Sequence, residues 1–336
     1  MKKVCIVGAG AIGGFIGTRL AAAGQAQVSA LARGATLAAL RQHGWRLETA
    51  EGLVQAPADA SADAVALGPQ DLVVIAVKAP SLPPLAAEIA PLLGPQTVVL
   101  PAMNGVPWRF CRHLPAFADT PLDSVDPGGG IDAAIPFDRV LGCVVHAGCS
   151  VTAPGVVRHK VGDGLIVGEP LGGRSARAEA VTALLTHAGF QATLAPDVRS
   201  EIWYKLWGNL TMNPVSAITG ATIDRVLDDP LVRRFCSAAM VEAAAIGERI
   251  GCPIAQSPQD RHAVTARLGA FKTSMLQDVE AQRPIELDAI VAVVQEIGQR
   301  VGVATPNIDA LLGLTRLMGR VRGLYPEAAG PVTHTL

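Results

Sequence analysis

Three closely spaced glycines follow a short apolar run at the start of this chain. Residues 4–7 are Val, Cys, Ile and Val, a composition typical of a buried parallel strand. The run leads into Gly8, Gly10 and Gly13. A helical stretch follows and ends near Gly24, a residue type common just beyond a helix. An incidental glycine turn is the alternative, but the agreement of strand, loop and helix favours a Rossmann-type α/β domain with a doubly wound sheet.

Each part of the glycine loop has an expected role in binding a dinucleotide. Gly8 permits the tight turn after the strand, and Gly13 lets the helix lie close to the strand. Gly10 lets the backbone amides at the start of the helix, at Ala11 and Ile12, reach a pyrophosphate. The N-terminus of a helix also carries a partial positive charge, which attracts phosphate. These five residues are therefore predicted to bind the cofactor.

Arg33 indicates which nicotinamide cofactor is used. It follows the apolar residues 28–32, where a site for NAD usually places Asp or Glu to bind the ribose 2′-hydroxyl. No carboxylate lies between Gly24 and Glu48. An arginine offers a cationic fork that suits a 2′-phosphate. We therefore expect NADP(H), with an ordinary surface arginine as the alternative.

Two further apolar runs end in residues suited to a ligand. Residues 72–77 read as a buried strand that ends at Lys78. Residues 97–100 read as another strand, which runs on to Asn104. Ligands of doubly wound sheets bind beyond the carboxyl ends of the strands. Lys78 and Asn104 are therefore predicted at the cofactor site, although Asn104 with the following glycine is also an ordinary turn pair.

Composition excludes several classes of function. The 28 basic and 29 acidic side chains give a net charge of −1, so nothing points to nucleic acid or to an anionic membrane. No apolar run approaches the ~18 residues of a membrane helix, and the first strand begins too early to leave room for a signal peptide. The six cysteines show no C-x-x-C spacing and no metal pattern, which suits a reducing cytoplasm.

The chain length predicts two domains. Residues 1–196 are expected to form the dinucleotide-binding domain, with a helical stretch at 82–93, further strands at 140–145, 164–168 and 191–194, and a helix at 174–188. Residues 197–336 are expected to form an all-helical domain with breaks at Pro214, Pro230, Pro253 and Pro306. The segment 107–138 is rich in proline, glycine and aspartate and reads as a long excursion, of the kind that forms a lid or stays disordered.

A polar stripe in the second domain provides the candidate for chemistry. Glu201, Lys205, Asn209 and Asn213 recur every four residues, so a helix places them on one face. The remaining positions carry tryptophan, leucine and methionine, which are expected to pack inside. An ammonium with two carboxamides along one face is able to orient and protonate a small oxygen-rich substrate. A solvent-exposed face of an amphipathic helix is the alternative.

Taken together, these motifs resemble the ketopantoate reductase (2-dehydropantoate 2-reductase) family over residues 1 to about 315. The resemblance rests on the glycine loop, Arg33, Lys78, Asn104-Gly105 and the helix from Trp203 to Pro214. It also rests on the segment Ser274-Met275-Leu276-Gln277-Asp278 and on Glu286 just before another helix. The family resemblance implies a Rossmann domain, an all-helical domain and an active site between them.

Residue roles follow from this resemblance. Lys205 is similar to the catalytic lysine of the family, which protonates the nascent alkoxide as NADPH delivers hydride to a 2-keto carbon. Partial burial is expected to lower the pKa of such a lysine from ~10.4. Glu286 resembles the carboxylate that orients the substrate. Asn209, Asn213 and Ser274 resemble substrate-binding residues, and Asn104 resembles the residue near the nicotinamide ribose and substrate. For Glu286 and Ser274, the alternative is a role at a helix start.

The chain departs from the family pattern at four places: Met103, Phe271, Val291-Ala292 and the long segment 107–138. These differences leave the 2-keto acid open, with ketopantoate as the leading substrate. A related hydroxy-acid or opine-type dehydrogenase and a non-catalytic NADP(H)-binding sensor are the other readings. The apolar helices of the second domain suit either internal packing or a homodimer face, and the sequence does not separate these.

Overall fold

The computed structural model describes residues 1–118 and 120–327, which form two compact units. Unit 1 comprises residues 1–112 and 120–202, and unit 2 comprises residues 113–118 and 203–327. Unit 1 combines strands and helices, whereas the described residues of unit 2 form helices without a strand. The predicted fold class, a Rossmann-type α/β domain followed by a helical domain, is confirmed. The division between the units falls between Ile202 and Trp203, beyond the boundary expected near residue 196.

The described residues of unit 1 form ten strands and six complete α-helices. The strands are β1 (Lys3–Val7), β2 (Gln27–Leu31), β3 (Trp45–Thr49), β4 (Gly52–Ala56), β5 (Asp59–Ser61), β6 (Gln70–Ile75), β7 (Leu93–Pro101), β8 (Gly142–Ala153), β9 (Val156–Gly168) and β10 (Gln191–Leu194). The helices are α1 (Ala11–Ala23), α2 (Gly34–His43), α3 (Ala64–Leu67), α4 (Leu82–Ala86), α5 (Gly130–Ala134) and α6 (Ala176–His187).

Five of the strands form a parallel sheet, here called sheet A. Its order is β5-β2-β1-β6-β7, so β1 lies at the centre. All of its neighbouring pairs are parallel, and Ile6 lies opposite Ala30 on one side and Val74 on the other. These three side chains have no exposed surface. The predicted strands near residues 4–7, 28–32, 72–77 and 97–100 are therefore confirmed as strands of a doubly wound parallel sheet.

A second sheet, here called sheet B, covers the other face of α1. Strands β10, β9, β3 and β4 form its path, and β8 pairs with β9 as a long antiparallel hairpin. Glycines of α1 allow close packing on both sheets. A Cβ at Gly13 would lie 3.0 Å from Ile6 of sheet A, and a Cβ at Gly17 would lie 2.6 Å from the Trp45 ring of sheet B. The predicted strands at 140–145 and 164–168 belong to this hairpin, and the three strands β3 to β5 were not predicted.

The segment 107–138 is a packed part of the fold, so its interpretation as a lid or disordered loop is wrong for the described residues. Trp108, Phe110 and Phe117 are at most 5% exposed. Asp126 accepts hydrogen bonds from the first amides of α5, at Ile131 and Asp132. Proline and glycine here form short helical turns around buried aromatic side chains, a pattern that composition alone does not distinguish from a loop.

A long helix, α7 (Val198–Thr219), begins at the end of unit 1 and continues into unit 2. The following helices are α8 (Ile223–Asp228), α9 (Pro230–Arg249), α10 (Pro258–Ala266), α11 (Ser274–Glu280), α12 (Val293–Val301) and α13 (Pro306–Val321). A π-helical turn, Asp288–Ala292, precedes α12. None of the helices in the described part of the chain is both long and apolar enough to cross a membrane.

Prolines proved partly reliable as helix boundaries. Pro230 and Pro306 begin helices, and Pro253 lies in the connection between α9 and α10, as predicted. Pro214 lies inside α7, so the break predicted there is wrong. A proline without an N–H removes one helical hydrogen bond, and a long packed helix tolerates that loss. The helix predicted at 82–93 is also shorter than expected, because it ends at Ala86 and a 3-10 turn follows at Ala90–Leu92.

Candidate active site

The glycine loop at the end of β1 has the geometry of a phosphate cradle. Gly8 has a φ of +90°, and a Cβ there would lie 2.5 Å from a methyl carbon of Val77. A Cβ at Gly13 would lie 2.0 Å from the Gly8 carbonyl oxygen. Both positions therefore require glycine. Gly10 is exposed, and a Cβ there would meet no atom within 4 Å, so the outer side of the loop is open.

The N-terminus of α1 lies at this open side. The first amides of a helix, here those of Ala11 and Ile12, have no acceptor within the helix. The first turn of α1 contains no acidic residue that would occupy these donors. Helix polarity adds a partial positive charge at the same point. The loop and helix start therefore have the donors, the space and the charge that a dinucleotide diphosphate requires.

Arg33 follows β2 and is the N-cap residue of α2, at the same edge of sheet A. Its guanidinium forms an ion pair with Glu88, and the two side chains are 65% and 49% exposed. An ion pair this exposed stabilises a protein by about 1 kcal/mol or less. The Arg33 guanidinium is therefore held only weakly by Glu88. Sequence spacing gave no indication of Glu88, because it lies on a different connection of the sheet.

Lys78 and Asn104 complete the set of strand-end residues. Lys78 is exposed just beyond β6, and Asn104 is half-buried just beyond β7. Gly105 has a φ of +82°, so the predicted Asn-Gly turn is present. Since β1, β2, β6 and β7 are parallel neighbours, the residues beyond their carboxyl ends lie along one edge of sheet A. The structure thus brings the predicted cofactor residues of unit 1 together.

The polar stripe of α7 lies on one face of a firmly packed helix. Lys205 and Asn209 are half-buried, and Asn213 is 5% exposed. On other faces of α7, Trp203 and Trp207 are each 1% exposed. The prediction that the large apolar residues pack inside is therefore confirmed. The stripe itself becomes more buried toward Asn213, which is unlike the exposed face of an ordinary amphipathic helix.

Helix α9 holds α7 in position from behind. The indole N–H of Trp207 donates to the carbonyl of Met240 at 2.7 Å. A Cβ at Gly247 would lie 2.6 Å from the indole nitrogen of Trp203, so this glycine lets the two helices approach. Two ring anchors on one helix restrict both its position and its rotation. The direction of the Lys205 side chain therefore follows from packing on the opposite face.

The Nδ2 group of Asn213 is a buried donor without a hydrogen-bond partner in the described part of the chain. The backbone carbonyl of the same residue accepts a hydrogen bond from Ser216 at 3.1 Å. Buried amide donors are almost always paired in proteins, and a ligand oxygen is one way to satisfy such a group.

Ser274 is linked to the region of Asn213 by its neighbour in sequence, Thr273. Thr273 caps α11 by accepting from the Leu276 amide at 3.2 Å, and its hydroxyl is also hydrogen-bonded to Ser216. The alternative role of Ser274 as the helix cap is therefore wrong, because Thr273 performs it. Ser216 connects the start of α11 to Asn213 of α7. Neither Ser216 nor Thr273 was singled out from the sequence, since isolated serine and threonine give no signal.

Glu286 is 4% exposed and immediately precedes a distorted helix start. The π-helical turn Asp288–Ala292 begins two residues later. Such turns occur mostly as single-turn insertions and are frequent at functional sites. Burial raises the pKa of Asp288, opposed by a hydrogen bond from Tyr325 and by the charge of Arg316. The sequence indicated Glu286 but gave no sign of the hydrogen bond from Tyr325 to Asp288.

The residues that depart from the family pattern differ in their surroundings. Met103 is half-buried against a core cluster that includes Val99 and Trp108. Phe271 is half-buried against a cluster that includes Met212 and Val215. Val291 has no exposed surface, so it fills the core of unit 2. Phe271 therefore gives an apolar surface next to the stretch of α7 that carries Asn213, whereas Val291 is explained by packing alone.

A separate cleft of about 640 Å³ opens on unit 2 between α8, α9 and α10. It contains Arg233 and Arg234, and Ser237 lies 3.1 Å from the buried His262. Burial, with the charge of Arg233, lowers the pKa of His262. None of the predicted site residues lines this cleft. The described residues contain no cluster of side chains suited to hold a metal ion.

A Rossmann-type unit with an open diphosphate cradle, joined to a helical unit with a lysine and amide face, defines a nicotinamide-dependent oxidoreductase. Comparison with known proteins supports this class. Residues 4–172 match the model of the family "Ketopantoate reductase PanE/ApbA", and residues 197–319 match its C-terminal model. The chain belongs to the ketopantoate reductase family, and it is an oxidoreductase.

Individual relatives extend over nearly the whole chain. A 2-dehydropantoate 2-reductase from Mesorhizobium japonicum is 45% identical over 96% of this chain and 99% of the relative. The crystal structure of a putative ketopantoate reductase from Ralstonia solanacearum is 56% identical, with a TM-score of 0.93 over 97% of this chain and 100% of that one. A ketopantoate reductase structure from Ralstonia eutropha is 25% identical, with a TM-score of 0.82 over 96% and 100% of the two chains.

Proposed function

We propose that this protein reduces 2-dehydropantoate to pantoate with NADPH, and that Lys205 is the general acid. The observation that carries the proposal is the full-length similarity to a relative of that name, combined with the presence of Lys205, Asn209, Asn213 and Glu286. A non-catalytic sensor would have no reason to keep a lysine, two amides and a buried carboxylate together. Their joint presence favours an enzyme.

The cofactor half of the proposal rests on unit 1. The open loop at Gly10 and the uncapped N-terminus of α1 suit the diphosphate. Arg33 and Lys78 are exposed beyond β2 and β6, the two strands that flank β1, and suit the 2′-phosphate of NADP(H). When bound, the nicotinamide supplies the hydride that adds to the C2 carbonyl carbon. Asn104, beyond β7, is proposed to lie near the nicotinamide ribose and the substrate.

The substrate half rests on unit 2. The Lys205 ammonium is proposed to polarise the C2 carbonyl and to donate its proton to the alkoxide oxygen that forms. Asn209, Asn213 and Ser274 are proposed to bind the carboxylate and hydroxyl oxygens. The unpartnered Nδ2 of Asn213 supports this, since a substrate oxygen would satisfy it. Glu286 is proposed to accept a hydrogen bond from the substrate hydroxyl and so to orient the chain of the keto acid.

A second candidate is a related dehydrogenase for a 2-keto acid with a more apolar side chain. Phe271 favours it, because an apolar ring lies against the cluster next to Asn213. The same reaction chemistry applies, and only the substrate differs. We also propose a cytoplasmic location. The functional division into residues 1–196 and 197–336 stays a prediction, and so does the homodimer.

Oxidation of NADPH followed at 340 nm tests the proposal. Purified protein is assayed with 2-dehydropantoate and with a panel of 2-keto acids that have apolar side chains, each with NADPH and with NADH. Preferred turnover of 2-dehydropantoate with NADPH is the expected result. Faster turnover of an apolar keto acid would instead support the second candidate. Binding of NADPH without reduction of any keto acid would contradict both and would favour a sensor.

A further inference from the structure

The segment that follows α13 holds both sides of the stretch that contains Glu286. Before Glu286, the amide of Ile285 donates to the carbonyl of Leu324 at 3.1 Å. After Glu286, the Asp288 carboxylate accepts a hydrogen bond from the Tyr325 hydroxyl at 2.6 Å. Leu324 and Tyr325 are neighbours in sequence. Glu286 therefore lies between two attachment points that belong to one short segment.

Tyr325 is itself held firmly against α13. The amide of Leu324 donates to the carbonyl of Gly319 at 2.7 Å, and Leu324 is 3% exposed. A Cβ at Gly319 would lie 2.8 Å from the Cβ of Tyr325, so glycine there lets Tyr325 lie directly on the helix. The Arg320 guanidinium lies 5.8 Å from the centre of the Tyr325 ring. A side chain fixed in this way provides a rigid donor for Asp288.

Asp288 is the first residue of the π-helical turn that leads into α12. A π-turn contains one more residue per turn than an α-helix. Relaxation of the turn to α-helical geometry would rotate the preceding residues by about 100°, the angle of one residue in an α-helix. Glu286 would then point in a different direction. The hydrogen bond from Tyr325 to Asp288 therefore restrains the turn that sets the orientation of Glu286.

We propose that Tyr325 is a positioning residue: through its hydrogen bond to Asp288, it fixes the π-turn and so directs the Glu286 carboxylate toward the substrate. This inference rests on the proposed role of Glu286. It assigns a positioning role to a residue beyond α13 that the proposed function does not place in contact with substrate or cofactor. A hydrogen bond to a carboxylate stabilises more than a neutral one, so its loss is expected to matter at a site of this precision.

Tyr325→Phe tests the proposal, because it removes only the hydroxyl. The expected result is a loss of about tenfold in kcat/KM for 2-dehydropantoate, with the KM for NADPH unchanged. Tyr204→Phe is the matched control. Tyr204 is the other tyrosine of the chain, and its hydroxyl donates to Gln256 at 2.7 Å on another part of unit 2. Its kcat/KM is expected to stay within twofold of the wild type.

A double-mutant cycle with Glu286→Ala separates positioning from general stabilisation. If Tyr325 acts through Glu286, then Tyr325→Phe has no further effect on kcat/KM in the Glu286→Ala background. The change in Tm caused by Tyr325→Phe is expected to be the same in the wild-type and Glu286→Ala backgrounds. Equal fold losses in both backgrounds would overturn the inference and leave the proposed function intact. An unchanged kcat/KM in Glu286→Ala alone would overturn the role of Glu286 and, with it, that of Tyr325.

Asp288→Asn provides a conservative rescue. The amide oxygen still accepts from the Tyr325 hydroxyl, so kcat/KM is expected to stay closer to the wild type than in Asp288→Ala. Asp288→Ala is expected to match Tyr325→Phe in kcat/KM. Equal activity of the wild type and Asp288→Ala would contradict a role for this bond in directing Glu286.

Discussion

The candidate residues of unit 1 and those of unit 2 are held in different ways. In unit 1, the candidate residues lie just beyond the ends of four parallel strands, and the central ones are backbone amides around Gly10. In unit 2, the candidate residues come from α7, α11 and the stretch before the π-turn, and tertiary contacts hold them. The first half depends on local backbone conformation, whereas the second depends on side chains distant in sequence. Substitutions are therefore expected to act differently in the two.

The largest expected effect comes from Lys205→Ala. Loss of the general acid should lower kcat by roughly 1000-fold, about 4 kcal/mol, with little change in the KM for NADPH. Lys272→Ala is the control, because this lysine is exposed and pairs with Glu280. Steady-state kinetics at 340 nm measure both. A loss below about fivefold in Lys205→Ala would refute the role of general acid.

Gly13→Ala and Gly10→Ala test the backbone dependence of unit 1. At Gly13 the new methyl would lie 2.0 Å from a carbonyl oxygen, so the free energy of unfolding should fall by about 3 kcal/mol. At Gly10 the methyl meets nothing, so stability should change by less than about 1 kcal/mol while NADPH binding weakens. Urea unfolding and fluorescence titration separate the two outcomes. Equal stability of both variants would contradict the packing argument.

Asn213→Ala tests the unpartnered donor of unit 2. Its Nδ2 loses no hydrogen bond within the described chain, so we expect the KM for the keto acid to rise about tenfold and stability to fall by only about 1 kcal/mol. Thr273→Val is the opposite case, because it removes a helix cap and the bond to Ser216. Its stability should fall by about 2 kcal/mol. An unchanged KM in Asn213→Ala would argue against substrate binding there.

Substitutions of Arg33 and Glu88 are expected to change the KM for NADPH by smaller amounts and in opposite directions. Arg33→Ala should raise the KM for NADPH about tenfold and leave that for NADH unchanged. Glu88→Gln removes the competing carboxylate and should lower the KM for NADPH about twofold. Titrations at low and high salt check the ionic origin of both effects. A fall in NADPH affinity in Glu88→Gln would show that Glu88 supports Arg33 instead of competing for it.

The smallest expected effect is on the pH dependence of stability, and it has opposite signs in the two units. Arg177 lowers the pKa of Glu169, so Glu169 stabilises unit 1 above its unfolded pKa and loses that effect as the pH falls toward its folded pKa. Burial raises the pKa of Asp288, so stability falls as the pH rises from its unfolded pKa through its folded pKa. In thermal melts against pH, both the Glu169→Gln and Asp288→Asn variants should therefore follow the wild type at low pH. As the carboxylates ionise toward the upper end of the acidic range, the Tm of Glu169→Gln should fall below that of the wild type and the Tm of Asp288→Asn should rise above it.

Much of unit 1 was predictable because its signals are local. The strands around residues 4–7 and 72–77 are continuous apolar runs, and Gly8 and Gly13 lie at fixed spacing from them. The strands β3, β4 and β5 were missed because they lack such runs and mix polar with apolar residues. The segment 107–138 was misinterpreted for a related reason. Its proline and glycine content indicates turns but does not reveal that Trp108 and Phe117 are buried.

The candidate site shows the same limit. Lys205, Asn209 and Asn213 were found from a four-residue spacing, which is a local property of a helix. The connection of Asn213 to α11 through Ser216 and Thr273, and the hydrogen bond from Tyr325 to Asp288 near Glu286, join segments that are tens of residues apart. Single serines, threonines and tyrosines occur for many reasons, so no pattern in one sequence identifies such partners.

By itself, the sequence determined the order of the two domains, the glycine loop and the identity of the residues that suit the chemistry. These are set by short-range rules: hydrophobic period, the steric freedom of glycine and the spacing of a helix face. Only the tertiary structure decided that the Asn213 Nδ2 is buried without a hydrogen-bond partner among the described residues, that Arg33 meets Glu88 and that Tyr325 bonds to Asp288 in the π-turn beside Glu286. The reason is physical, because burial and hydrogen bonding between distant segments arise only when the helices and sheets pack.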